Sequence, residues 1–256
     1  MPLISPERGL TTLEILREQE LDEARTLQSA MLPAEFLQIG KITFAHRLRS
    51  MHEVGGDFLD YFALSDDTVG IYLGDVAGKG LPAALYAALV VGTLRGVHKT
   101  GQPPSAVLAL LNKRLCARSI ASRYAAMLYA VFDPRTREMR ISSAGMHGPL
   151  HLSARGCRNL RLMGLPPGLF ADTQYETSTL KLDPGDSVIF MTDGIVEAKL
   201  KDPNRVGVDH LVDHCRGHAT SPPAVLLDSI FSSVEKSMSG EEQHDDMAAA
   251  VFHFAK

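Results

Sequence analysis

The most constraining feature of this sequence is a set of aspartates, most of them beside a glycine or a second acid, at the ends of short apolar runs. Asp57 and Asp60 lie in Glu53-Val-Gly-Gly-Asp-Phe-Leu-Asp60, where such a run begins. Asp75 comes after Val69-Gly-Ile-Tyr-Leu73 and precedes Val-Ala-Gly-Lys-Gly80. Asp193 follows Val188-Ile-Phe-Met-Thr192 and is followed by Gly194, and Asp245 and Asp246 stand directly before Met247–Phe254. An acid at the end of a buried strand loses its hydration, a cost that only hydrogen-bond donors or a cation can offset. One such aspartate is commonly a turn residue or a helix cap. Four separate strand ends of this kind are too many for capping alone. Converging oxygen ligands suit hard cations such as Mg²⁺ or Mn²⁺. Two such ions sharing a carboxylate would activate a water and neutralise a phosphoryl group.

The rest of the composition narrows the class by exclusion. The chain has 256 residues, with 26 Lys and Arg against 30 Asp and Glu, a formal charge of −4. A mildly acidic chain lacks the basic footprint of a nucleic-acid binder. The uncharged stretch Gly80–Leu94 is too short and too rich in Ala and Gly to span a bilayer. With 45% apolar residues a core forms without metal or disulfide staples, and disorder is disfavoured. Cys116, Cys157 and Cys215 are odd in number and form no CxxC pair, so they read as reduced thiols of a cytoplasmic protein. The first ten residues show no basic segment followed by an apolar stretch, so no signal peptide is read.

Two textures organise the chain. From Thr11 to about Leu32 the sequence is charged, free of Gly and Pro, and carries Leu13, Leu16, Leu21, Ala24, Leu27 and Met31 at three- to five-residue steps. This predicts an amphipathic helix that Pro33 ends; it either packs on its own domain or pairs with a second copy as a short coiled coil. Short β-type runs follow at Ile42–Leu48, Phe58–Leu64 and Thr68–Leu73, the last two joined by Ser-Asp-Asp. Helices are predicted over Pro82–His98 and Pro103–Arg118, and strands over Tyr124–Phe132 and Glu138–Ser143, with more short strands to Leu182. Ser187–Met191 reads as a strand, Val208–Arg216 and Pro222–Met238 as helices, and Met247–Phe254 as a closing strand. Strand pairs with tight turns and helices grouped between them predict an α+β layered fold with largely antiparallel sheets, not a Rossmann fold or a barrel. The division expected is a tail and connector helix over 1–33 and a single domain over 34–256.

The ordered motifs VGGDFLDY, GDVAGKGLPAAL, SAGMHGPL, GLPPGL, LDPGDSVIFMTDGIVEA and HDDMAAAVF resemble the bacterial SpoIIE/RsbU-type branch of the metal-dependent serine/threonine protein phosphatases, the PPM superfamily. The stretch EARTLQSAMLP is similar to the helix that leads into those catalytic domains. The resemblance covers about Glu20 to Phe254. It implies an αββα sandwich of two antiparallel sheets with a dinuclear Mn²⁺ or Mg²⁺ centre at one edge. It also implies that Asp75 bridges the two ions and the Val76 carbonyl is a further ligand. Asp193 and Asp245 would complete the second ion's shell, Asp57 would support the first, and Asp246 would replace or orient Asp245. Asp60, Thr192, Gly194 and Glu197 fit supporting positions. The implied reaction is attack of a metal-activated water on phosphoserine or phosphothreonine, without a phosphoenzyme. The implied substrate is a regulatory protein, typically a STAS-type anti-sigma-factor antagonist.

The chain departs from that pattern in two places. Ser143-Ala-Gly-Met-His147-Gly-Pro149 displaces the usual histidine by one position, and Asp245-Asp-Met-Ala248 lacks the usual threonine. Neither removes an implied ligand. They leave open a competing class, a non-catalytic pseudophosphatase that holds a partner on the same surface. No histidine follows Asp75 as a general acid; Lys79, water or no acid at all could serve. Gly55–Phe58 mimics a cyclase motif and Gly74–Gly80 mimics a P-loop, but the residues around both are wrong. His210, His214 and His218 share a helical face without a complete zinc ligand set and are expected to be solvated surface residues. About ten residues precede the helix, so the chain is read as a free-standing enzyme or as the catalytic module of a longer sensor protein. Its helix is expected to form a homodimer and, through the pair of helices over Ala83–Arg118, to shape the metal site.

Overall fold

The computed structural model describes residues 11–64, 67–98, 102–198, 207–238 and 243–256. The tail before Thr11 and the first two residues of the Ser-Asp-Asp turn therefore lie outside the described residues. The elements in chain order are α1 (Thr12–Met31), β1 (Phe36–Ile39), β2 (Ile42–Arg49), β3 (Phe58–Ala63), β4 (Val69–Val76), α2 (Gly80–Arg95) and α3 (Pro104–Cys116). They continue with β5 (Ala125–Asp133), β6 (Glu138–Ala144), β7 (Leu150–Ser153), β8 (Gly156–Asn159), β9 (Ser178–Lys181) and β10 (Ser187–Met191). Last come α4 (Asp193–Val196), α5 (Val208–Arg216), α6 (Pro223–Met238) and β11 (Met247–Phe254).

The strands form two wholly antiparallel sheets, ordered β1-β2-β11-β10-β7-β8 and β3-β4-β5-β6-β9. Alternation along the strands decides what each face buries. On β11, Ala248, Ala250, Phe252 and Phe254 face the second sheet, while Met247, Ala249 and Val251 face α5 and α6. On β5, Leu128, Ala130 and Phe132 face the first sheet, while Met127, Tyr129 and Val131 face α2 and α3. Central strands are thus buried on both faces, and the result is the αββα four-layer sandwich expected from the motifs. Aromatic rings close the space between the sheets: Phe44 stacks on Tyr61 at 4.6 Å, and Phe132 meets Phe252 edge-on at 4.9 Å.

Helix α1 starts at a capping box in which Thr11 and Glu14 satisfy each other's backbone N–H groups, and Leu32 turns extended before Pro33. None of its residues is buried, and Leu13, Leu16 and Leu27 are exposed. Its C-terminal half nevertheless touches the body. Gln28 Nε2 donates to the Gly55 carbonyl at 2.7 Å and its Oε1 accepts from Gly55 N–H at 3.2 Å.

The structure corrects several boundaries. Phe36–Ile39 is a strand that sequence pattern did not mark, a four-residue edge paired with β2 across Gly40 and Lys41. Asp75 does not follow a strand but sits within β4, opposite Ala126. Asp193 begins the short helix α4. The three histidines, His210 and His214 on α5 and His218 in the turn after it, are half-buried, not solvated: each meets a serine hydroxyl, of Ser233, Ser229 and Ser221 in turn.

Candidate metal centre

The acidic motifs converge at one end of the sandwich because antiparallel pairing places the start of β3 beside the end of β4, and the end of β10 beside the start of β11. Asp57 precedes β3, Asp75 is near the end of β4, Asp193 follows β10, and Asp245 and Asp246 precede β11. Their mutual proximity is visible in their electrostatics. Burial, then the charges of Asp75 and Asp246, hold the Asp57 carboxyl well above the usual carboxylate range. Burial and the charges of Asp193, Asp245 and Asp246 push Asp75 up to about 8. Burial, Asp245 and Glu197 likewise raise Asp193.

Two of these oxygens share one approach. A Cβ placed on Gly56 would lie 2.9 Å from Asp75 Oδ1 and 3.0 Å from the Val76 carbonyl oxygen, so both atoms lean over the same bare Cα. Gly194 serves a similar close approach, since a Cβ there would fall 1.8 Å from the Asp246 carbonyl oxygen. Asp57 is 2% exposed; its Oδ2 accepts from the Thr192 hydroxyl at 2.9 Å, and its Oδ1 is buried with no hydrogen-bond partner. A buried, partnerless carboxylate oxygen among like charges is an arrangement that a cation would complete.

The adjacent acids Asp245 and Asp246 are not equivalent. Asp246 is buried, and its two oxygens accept from the N–H groups of Met51 and Gly56, both at 2.7 Å. Asp245 is half-exposed and lies 3.4 Å from Lys79 Nζ, which also donates to the His244 carbonyl. Asp246 therefore anchors the glycine loop, and Asp245 faces the rim. The acids form a neighbourhood and not a closed cage: among the described residues no three Asp, Glu, His or Cys side chains gather into a ready ligand set. Oxygen-only donors, an orphaned buried oxygen and a pair of oxygens over Gly56 fit hard divalent cations.

The departures from the motif pattern find local answers. Thr192 Oγ1, which bonds Asp57, also accepts the Ala248 N–H at 2.9 Å, so a hydroxyl is present beside the cluster although residue 248 is alanine. Met146 turns into the core, and His147 is exposed with its Nε2 3.3 Å from Glu197 Oε1. Motif reading did not assign Gln28 or Met51 a role at the site, yet both hold the loop that carries Gly55 and Gly56. Gln28 does lie in the EARTLQSAMLP stretch, the one available signal.

Comparison with known proteins follows this geometry. The family described as Stage II sporulation protein E (SpoIIE) matches residues 65–255, about three quarters of the chain, a span that takes in Asp75, Asp193, Asp245 and Asp246. Phosphoserine phosphatase RsbU of Bacillus subtilis is 26% identical over 243 residues, covering 91% of this chain and 70% of RsbU. Phosphoserine phosphatase RsbP of the same organism is 24% identical, covering 90% of this chain and 56% of RsbP. Among solved structures, the SiaA-PP2C domain of Pseudomonas aeruginosa superposes with a TM-score of 0.83 at 22% identity, covering 96% of this chain and all of that domain. The catalytic domain of the serine/threonine phosphatase PstP, solved with two manganese ions, superposes with a TM-score of 0.61 at 12% identity, covering 84% of this chain and 99% of that one. Among the described residues no helix is long and apolar enough to cross a membrane. The fold, the ordered motifs and the family match agree, and the chain belongs to the SpoIIE family, the SpoIIE/RsbU-type branch of the PPM phosphatases.

Proposed function

We propose that this chain is a metal-dependent phosphatase that hydrolyses phosphoserine or phosphothreonine on a regulatory protein. The observation that carries the reading is the buried acidic neighbourhood at the strand ends, where Asp57 Oδ1 lacks a partner and Asp75 and Val76 present oxygens over Gly56. In this reading Asp75, the Val76 carbonyl, Asp57, Asp193 and Asp245 would hold two Mn²⁺ or Mg²⁺ ions. When bound, the ions lower the pKa of a water and neutralise the phosphoryl oxygens. The chain's own residues supply position. Thr192 orients Asp57, Asp246 fixes the Gly55–Gly56 loop, and Lys79 at the rim adds positive charge beside Asp245. Water attacks phosphorus, the bond from phosphorus to the serine or threonine oxygen breaks, and that oxygen takes up a proton as inorganic phosphate leaves.

The substrate assigned is a phosphorylated STAS-type anti-sigma-factor antagonist; the motif resemblance and the similarity to RsbU support it. The three free cysteines support a cytoplasmic setting. A homodimer through α1 is part of the same reading, because Leu13, Leu16 and Leu27 leave an apolar face uncovered. Gln28 on α1 grips Gly55, and Arg95 of α2 donates both to the Met31 carbonyl and to Asp60, so a shift of α1 would reach the loop and α2 together.

The test is turnover of p-nitrophenyl phosphate and of a phosphorylated antagonist by purified protein in Mn²⁺ and in Mg²⁺, beside Asp193→Asn. Turnover by the wild type and none by the variant is expected. A wild type inert toward both substrates in both metals contradicts the reading.

A further inference from the structure

A cleft of about 420 Å³ opens beside Asp193. Asp193 and Glu197 line it, together with Asn159, Arg161, Leu162 and Met163. The wall formed by Asn159–Met163 is the segment leaving β8, and it is held firmly. Leu160 N–H bonds the Pro149 carbonyl at 3.0 Å, and a Cβ on Gly148 would fall 1.6 Å from the Leu160 carbonyl oxygen, so backbone lies against backbone. A wall fixed in this way needs little ordering when a ligand arrives.

Three groups on this wall have no task within the fold. Asn159 Oδ1 is buried without a hydrogen-bond partner, although buried acceptors are nearly always paired. Arg161 is exposed and makes no ion pair among the described residues, although it lines the same cleft as two acids. Met163 is 90% exposed, and its flexible apolar side chain adapts well to a partner. An acceptor, a cation and an apolar surface in one cleft next to a phosphoryl-transfer centre match an extended peptide segment.

We propose that this cleft is the subsite for the residues flanking the phosphorylated side chain of the substrate protein. Arg161 selects an acidic side chain there, Met163 carries an apolar neighbour, and Asn159 Oδ1 accepts a backbone N–H. Arg161 also offsets the repulsion between an acidic substrate and Asp193 and Glu197. The assignment rests on the phosphatase reading above and adds the sequence preference of its substrate.

The experiment uses phosphoserine peptides in which Glu or Lys is placed in turn at the three positions on either side of the phosphoserine. They are assayed with Mn²⁺ against the wild type, Arg161→Lys and Arg161→Glu, with p-nitrophenyl phosphate as the reference for each protein. For the wild type and Arg161→Lys, Glu at one flanking position raises kcat/KM over Lys by about fivefold, chiefly through KM. For Arg161→Glu the preference at that position inverts. Peptide rankings that are identical in the wild type and Arg161→Glu, or a wild type with no preference, overturn the subsite while leaving the phosphatase reading intact. Failure of every peptide and of p-nitrophenyl phosphate overturns the phosphatase reading and the subsite with it.

Discussion

Asp57 and Asp60 are three residues apart at the head of β3, both are buried, and their surroundings are opposite. Asp60 accepts from Arg95 Nε at 3.0 Å and Arg95 Nη2 at 2.7 Å, and Tyr72 adds its hydroxyl at 3.3 Å. The protein supplies its own cation there, and the carboxylate ties α2 to the sheet. Asp57 has one hydroxyl, one orphaned oxygen and three neighbouring acids. Burial alone therefore does not mark a functional acid. What separates the two positions is whether the fold provides the compensating charge: at Asp60 Arg95 supplies it, and at Asp57 no cation of the described residues does.

The comparison can be broken from either side. The largest effect is expected at Asp75, where Asn removes a proposed metal ligand: Mn²⁺ affinity should fall by more than about 100-fold and turnover should be lost, with the far-UV dichroism of the wild type retained. Retained activity would place the metal elsewhere. On the other side, Arg95→Met leaves Asp60 buried with one hydroxyl partner. Urea unfolding should then show a loss of about 2 kcal/mol, with Mn²⁺ stoichiometry unaltered. An equal loss of metal binding would mean that the two acids are one system and not two.

The smallest expected effect is on pH dependence. Asp75 titrates near the usual carboxylate value when unfolded and at about 8 when folded, so the folded state holds the proton more tightly. Its contribution is full below about pH 4, declines as pH rises, and is lost above about 8; the raised values of Asp57 and Asp193 act in the same direction. In EDTA the melting temperature should accordingly fall by a few degrees between pH 5 and pH 8. In Mn²⁺ that fall should be reversed, because metal competes with protons for the same carboxylates. A fall of the same size in both conditions would separate the raised values from metal binding.

Much of this architecture is legible in residue order. The apolar runs Met247–Phe254 and Ser187–Met191 and the helix stop at Pro33 give element bounds that the structure reproduces. Phe36–Ile39 escapes because four half-exposed residues carry too little periodicity, and its pairing with β2 is what makes it a strand. The aspartates are legible as a set because glycines beside them allow close approach. Their division of labour is not legible: Asp245 and Asp246 are adjacent letters, and only the N–H groups of Met51 and Gly56, nearly 200 positions upstream, distinguish the anchor from the rim acid. The cleft wall at Asn159–Met163 has no local signal either, since its meaning lies in sharing a cleft with Asp193.

The central claim is that the buried acids of this fold are completed by cations. Calorimetric titration of the metal-free protein with Mn²⁺ at neutral pH tests it most directly. Two ions bound per chain, with protons released on binding, is the predicted result. No binding, with an unchanged melting temperature in excess Mn²⁺, would contradict it and favour a non-catalytic partner-holding module of the same fold.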